Sequence, residues 1–419
     1  MPSSTDLLRH RWLIVIAAGA IMGAALGVRH VQGLFLQPVV STQGWSREAF
    51  GFALAMQNLV WGLAQPFTGM VADRYGSAKV LVVGMLAYAA GLVLMANSAS
   101  TGAFALTNGV LVGVALSGTA FGTVYGALSR IFPADQRAWA LAVTGALGGL
   151  GQFCMVPLAQ SLIAGMDWQG AATALGIVML VLVPLAVFLR DRVAPMQAAQ
   201  QPKAAQAMPA PLADIPMSAA IRQALRHRGF WLLNLGFTAC GFQLAFIATH
   251  MPAYLAEHGL SAGQASATLA VIALANIFGN YVCARLGGRW PPRQVLCALY
   301  ATRALAIAVF VTLPVTPFSA YAFSAVMGFL WLGTVPLTSG VLSRIFGVRY
   351  IGTLFGMVFL GHQIGGFMGV WLGAVVYDAY QSYDLVWMGA IAIGLMAAWV
   401  HWPIDDRPVA RPVMAGQPS

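Results

Sequence analysis

The sequence predicts an all-α membrane protein, with twelve transmembrane helices arranged as two pseudo-symmetric six-helix bundles. Three observations carry this. Apolar residues make up 59% of the 419 positions and charged residues only 8%, against about 25% charged in a soluble domain. The apolar runs recur at lengths near the roughly 20 residues a helix needs to cross the hydrocarbon core. Short motifs in the first half return in the second at offsets between 211 and 215, the mark of a duplicated unit.

Taken in order, the spans fall near 12–38, 48–71, 79–97, 103–129, 138–164 and 171–189, then near 229–255, 262–284, 293–313, 317–343, 350–377 and 384–402. The residues before the first span are few and polar, and the run that follows is too long for a cleaved signal peptide, so it is expected to stay as a membrane helix. Between the two sets lies 190–228, rich in Ala, Gln and Pro and carrying Arg190, Arg192, Lys203, Arg222, Arg226 and Arg228. That composition predicts a linker, with an amphipathic helix at 217–227 on the membrane surface. The expected organisation is therefore a bundle over 1–189, a cytoplasmic linker over 190–228, a bundle over 229–404 and a cytoplasmic tail over 405–419.

The halves repeat one another. Leu128-Ser129-Arg130-Ile131-Phe132 closes the fourth span, and Leu342-Ser343-Arg344-Ile345-Phe346 closes the tenth. Gly44-Trp45-Ser46 before the second span returns as Gly259-Leu260-Ser261 before the eighth. Paired six-helix repeats with a site between them are a transporter architecture.

The net charge of +10 would point a soluble protein toward nucleic acid; here it reflects one-sided loops, and no nucleic-acid partner is expected. With the amino terminus in the cytoplasm, 19 of the 22 Lys and Arg fall on the cytoplasmic side, which places both termini there and predicts a multi-pass protein of the inner membrane. Only Arg47 faces outward, and Arg29 and Arg303 lie within spans. Cys154, Cys240, Cys283 and Cys297 sit in or beside apolar segments without ligand spacing and are read as small core residues. No metal, no cofactor and no enzymatic nucleophile–base set is expected.

The sharpest local motif is Gly69-Met70-Val71-Ala72-Asp73-Arg74-Tyr75-Gly76, placed in a short loop after the second span. Its worn copy, Asn280-Tyr281-Val282-Cys283-Ala284-Arg285-Leu286-Gly287, is placed in the loop after the eighth. The first resembles the signature of the major facilitator superfamily of secondary transporters, and the resemblance extends over about 10–404. It implies a cytoplasmic gate built from Gly69, Asp73, Arg74, Gly76, Arg285 and Arg349, with Asp73 meeting Arg349 at the start of the eleventh span and Arg74 meeting Asp135. Within that superfamily the chain is most similar to bacterial relatives of the monocarboxylate and oxalate–formate porters. Arg9-His10-Arg11-Trp12-Leu13-Ile14-Val15 and the Gly-Leu-Phe-Leu-x-Pro run at 33–38 carry the likeness. Those porters have an arginine in the eighth span where alignment puts Asn276, so the carboxylate ligand the resemblance implies is missing. The glycine-proline antiporter motif of the fifth span is also absent.

Charge inside a bilayer is costly, which makes each intramembrane charge a functional candidate. All twelve acids lie in loops or at span ends, whereas Arg29 and Arg303 are mid-span. Unpaired arginine with no carboxylate favours an anionic substrate, which would bring the missing counter-charge. Arg29, in Gly27-Val28-Arg29-His30-Val31-Gln32-Gly33, is the expected carboxylate ligand, with a helix-stabilising role as the alternative. His30, Tyr125, Gln152, Gln243, Asn276, Trp331, His362 and Gln363 complete the candidate binding set. His250, His362 and Arg303 are candidates for coupling, since histidine titrates near neutral pH and protons are the expected coupling ion. The function expected is a secondary active transporter of a small organic anion, a monocarboxylate, acting as a monomer in the lipid bilayer. The alternatives are an exporter of neutral or amphipathic compounds and a membrane sensor without transport.

Overall fold

The computed structural model describes residues 4–190, 216–347 and 350–409, and within them not the side chains at 4–10, 73, 134, 135 and 138. The described residues form helices and connecting turns, without strands. In chain order they are α1 (Ser4–His30), α2 (Leu36–Gln43), α3 (Arg47–Tyr75), α4 (Ser77–Ala96), α5 (Thr101–Phe104), α6 (Val112–Thr119), α7 (Phe121–Ile131), α8 (Ala134–Gly165) and α9 (Trp168–Leu182). There follow α10 (Met217–Arg226), α11 (Arg228–Glu257), α12 (Ala262–Arg289), α13 (Pro292–Thr312), α14 (Pro317–Phe329), α15 (Thr334–Phe346), α16 (Ile351–Tyr380) and α17 (Asp384–His401).

Among the described residues, eleven stretches are long and apolar enough to cross a membrane. The twelfth span is α3, 29 residues long, whose Gln57, Asn58, Gln65 and Thr68 dilute its hydropathy. Two spans are composite. The fourth runs from α5 through a π-helical stretch at Ala105–Leu111 into α6, breaks at Ala120 and resumes as α7. The tenth is α14 and α15, broken between Leu330 and Gly333. Apolar runs read as single spans at 103–129 and 317–343 do not reveal such breaks, because hydropathy counts side chains and not backbone bonds.

Packing follows the duplication. In the first half α1 lies on α8, α3 on α6 and α4 on α9. In the second half α11 lies on α16, α12 on α14 and α13 on α17, the same three pairings six spans later. The two halves meet along α3 with α16 and α8 with α12, which are again each other's counterparts. The repeated Gly-x-Ser has a physical purpose at both sites. Gly44 and Gly259 turn the chain at φ +66° and +85°, and two residues later each serine caps a helix. Ser46 Oγ accepts from Ala49 N at 3.1 Å and Ser261 Oγ from Gln264 N at 3.3 Å.

Two boundaries expected from sequence need correction. The 69–76 motif is not a loop: α3 continues through Tyr75, and the turn is Gly76 alone, at φ +94°. Likewise 280–287 forms the last turns of α12, which continues to Arg289. A helix already has its backbone bonds made, so extending it two turns beyond the hydrocarbon costs little. The amphipathic helix expected at 217–227 forms as α10, Met217–Arg226.

Candidate functional site

The seam between the halves is held close at one end and open at the other. Gly51, Gly62 and Gly69 are spaced by 11 and 7, so they share one face of α3; Gly352, Gly356, Gln363 and Ala374 share one face of α16. A Cβ on Gly51 would press on Ala374 at 2.5 Å, and one on Gly62 on Gln363 at 2.8 Å. One on Gly69, Gly352 or Gly356 would meet nothing within 4 Å. The two helices therefore diverge beyond Gly62 and Gln363, toward the end that carries Gly76.

Arg29 lies at the depth where they begin to part. It sits in the last turn of α1, half-buried, and its Nη2 donates to Asn58 Oδ1 on α3. Its guanidinium also lies over the Trp61 ring, 5.7 Å from the centroid. Asn58 is fixed in turn: its Nδ2 donates to Leu54 O at 3.0 Å, and its own carbonyl accepts from Gln363 Nε2 at 3.2 Å. Gln363 Oε1 accepts from His362 Nδ1 at 3.0 Å, which assigns the proton to that nitrogen. His362 is flanked by Phe237 and Phe359, and Phe359 meets Trp61 at 5.4 Å. Arg29, Asn58, Gln363 and His362 thus form one chain of contacts crossing from the first half to the second. Arg29 has no carboxylate partner among the described residues, and its buried Nε has no hydrogen-bond partner.

A second group surrounds the break in the tenth span. Arg303, on α13, is fully buried and donates from Nη2 to the carbonyls of both Leu330 and Trp331. These are the acceptors left unpaired where α14 ends. Its Nη1 reaches Cys240 Sγ at 3.2 Å. Asn276 Oδ1, from α12, accepts from Leu332 N at 3.0 Å. The break is therefore held by one arginine and one asparagine, and it presents the Trp331 ring to His30, 6.3 Å away. His30 Nε2 donates to Leu269 O at 3.0 Å, joining α1 to α12.

The remaining candidates lie apart from these groups. Gln243 is buried within the second half, its Nε2 donating to Ala390 O of α17 at 2.9 Å. Tyr125 on α7 stands over Gly145 of α8, inside the first half. Gln152 is buried on α8, the helix between α1 and α12. At the other side of the molecule Arg285 donates to Tyr281 Oη at 2.9 Å, one turn away on α12, and Arg74 lies over the Tyr75 ring. The pairings expected of Asp73 with Arg349 and of Arg74 with Asp135 lie outside the described residues.

The closed end contains a cluster that sequence reading missed. Arg47, the first residue of α3, is bonded to Glu257 at the end of α11, and its Nη1 donates to Tyr383 Oη at 2.7 Å. The guanidinium rests 3.6 Å from the centroid of Tyr377 on α16. The Asp378 carboxylate accepts from the backbone N of Arg47 at 3.3 Å and of Glu48 at 2.7 Å, so an acid of the second half caps a helix of the first. His250 belongs here too. Its Nε2 donates to Val370 O at 2.8 Å, leaving Nδ1 to accept from Tyr383 Oη at 3.3 Å. Burial pushes the Tyr383 phenol up, against the opposing pull of the Arg47 cation, so it stays protonated at neutral pH and can make that bond. A signal existed in the sequence: Arg47 is the one base expected to face outward, and Glu257 and Asp378 are acids at the ends of the seventh and eleventh spans. His401 was also missed; it ends α17 fully buried, stacked on Tyr300.

Comparison with known proteins agrees with this architecture. The family model described as Major Facilitator Superfamily matches residues 11–370. The oxalate:formate antiporter of Oxalobacter formigenes is 26% identical, over 97% of this chain and 94% of its own length. Monocarboxylate transporter 13 of Bos taurus is 24% identical, over 96% of this chain and 92% of its own. Among solved structures, a bacterial homologue of the human lysosomal transporter Spinster, in an inward-facing and occupied conformation, superposes with a TM-score of 0.75. That likeness spans 94% of this chain and 96% of the other at 16% identity, and it concerns the fold.

Proposed function

The chain belongs to the Major Facilitator Superfamily, and from that membership together with the seam around Arg29 we propose that it carries a small organic anion, a monocarboxylate, across the inner membrane by alternating access. One observation carries the reading. Arg29 is half-buried where the halves diverge, and among the described residues it is held by an amide oxygen and an indole face instead of an acid. A carboxylate placed there would supply the counter-charge and a charge-assisted bond to the unpartnered Nε. The relatives named for oxalate, formate and monocarboxylates support the same class.

In this reading Asn58 and Gln363 set the guanidinium plane and couple it to both halves, so that a bound anion draws the two together. His362, one bond beyond Gln363, is the candidate for proton coupling; the anion can equally carry its own proton as the neutral acid. Both termini lie in the cytoplasm, and the open end of the seam faces it.

The test is uptake of labelled formate, acetate, lactate and oxalate into proteoliposomes by the unaltered protein and by Arg29→Ala. Loss of a buried charge-assisted pair costs about 2–5 kcal/mol, so at least a ~10-fold loss of transport of one of these anions is expected. Uptake unchanged by the substitution removes Arg29 from the site. The aromatic wall of Trp61, Phe237 and Phe359 favours a second reading, export of neutral or amphipathic compounds. Drug resistance conferred on a transporter-deficient strain, with no anion uptake, would select it.

A further inference from the structure

Away from the seam, a surface cavity of about 400 Å³ lies between α10 and the segment that follows α17, lined by Ala219, Arg222, Gln223, Arg226, His227 and Val409. Its walls are built. Val409 N donates to Ile345 O at 3.0 Å, which ties the chain after α17 to the end of α15. The His227 ring stands against Phe346 at 5.4 Å. His227 Nδ1 accepts from Gly229 N at 3.1 Å, so its proton is on Nε2, which is left as a donor.

Among the described residues the lining is cationic and uncompensated. Arg222 and Arg226 are four residues apart and share one face of α10, and neither has an ion pair among the described residues. The neighbouring acids among the described residues are engaged elsewhere: Asp406 with Arg293 and Arg344 at 3.5 and 3.3 Å, and Asp405 with Arg407. Gln223 contributes a buried Oε1 without a hydrogen-bond partner. The cavity thus offers guanidinium donors for an anion and one acceptor for a hydroxyl.

Its height follows from its neighbours. Met217 and Leu225 on α10, and Trp231 on the first turn of α11, are exposed apolar side chains. The Trp231 indole donates to Leu225 O at 2.8 Å, pinning the surface helix to the start of the span. Tryptophan at a span end marks the boundary between hydrocarbon and headgroups. A basic surface helix at that level, on the side that carries the excess of Lys and Arg, meets the headgroups of anionic lipids.

We propose that this cavity binds a glycerol phosphate group, with the phosphate between Arg222 and Arg226 and a glycerol hydroxyl donating to Gln223 Oε1. The depth of Trp231 points to a phosphatidylglycerol headgroup as its source; a soluble glycerol phosphate has the same chemistry. The test is thermal unfolding of the purified full chain in detergent, with added phosphatidylglycerol, phosphatidylcholine or glycerol 3-phosphate. The proteins compared are the unaltered chain, Arg222→Gln/Arg226→Gln, and Arg289→Gln as a control for loss of exposed positive charge elsewhere. Phosphatidylglycerol should raise the midpoint by several degrees more than phosphatidylcholine. The double variant should lose at least half of that shift and the control should keep it. If glycerol 3-phosphate gives the shift and the double variant loses it, the site stands and the source is soluble. A phosphatidylglycerol shift that is the same in all three proteins, or one equal to that with phosphatidylcholine when glycerol 3-phosphate also gives none, overturns the proposal.

Discussion

Two arginines lie deep in spans of this protein, and their partners assign them different work. Arg303 is fully buried, with Nη2 on two backbone carbonyls at the break in the tenth span and Nη1 on Cys240 Sγ. Arg29 is half-buried, with one amide oxygen and a ring face as partners. A hydrogen bond from a charged donor is worth about 1.5–3 kcal/mol. Arg303→Gln should therefore destabilise the fold by about 3 kcal/mol or more, lowering the thermal midpoint of the purified protein by several degrees. Apparent affinity for the proposed anion should change little in that variant. A midpoint equal to that of the unaltered protein would show that the break is held without it. Spacing and hydropathy rank the two arginines alike, because both are single charges in apolar runs. Only the carbonyls that Arg303 meets, brought by a different span, separate them.

Elements of this fold approach one another by losing side chains. Gly361, Gly365 and Gly369 recur every four residues along α16, and an added Cβ on Gly365 would stand 1.9 Å from Thr238 O of α11. With no water to expel, helices in a bilayer associate through such close packing. Gly365→Val should force α11 and α16 apart and give little folded, monodisperse protein by size-exclusion chromatography. Gly356→Ala, on the diverging part of the same helix, meets nothing within 4 Å and should be neutral or stabilising by about 0.5–1 kcal/mol. The Cβ contacts that distinguish 361–369 from the glycines at 352 and 356 come from α11, and the spacing of residues within α16 does not encode them.

Across the whole molecule the Arg47 cluster ties the two halves at the closed end, through α3, α11, α16 and the turn before α17. These bonds exist only while that end is shut, so they favour this state over its opposite in the exchange between them. Arg47→Ala leaves Glu257 without its cation and Tyr383 Oη without its donor, and should shift the population toward the state open at the Arg47 end. In a background with the four native cysteines replaced, Gly356→Cys reports on the other end. Its labelling by a soluble maleimide should slow several-fold when Arg47→Ala is added. Unchanged labelling would show that the cluster does not bias the exchange.

The sequence by itself determined the class of molecule, the spans to within a few residues, the duplication and the family, because burial of apolar length in lipid is a local demand written into each segment. It also named Arg29 as an intramembrane charge without an acid. Tertiary structure decided what each polar residue is for. Asn58 and Gln363 joined Arg29 across the seam, Asn276 and Arg303 held a helix break, and His250 lay in the Arg47 cluster beside Tyr383. Those assignments depend on partners brought from other spans, up to 305 residues away in the case of Gln363 and Asn58. A hydrogen bond is set by the few ångströms between two groups, and sequence spacing does not encode that distance once the chain has crossed the membrane and returned.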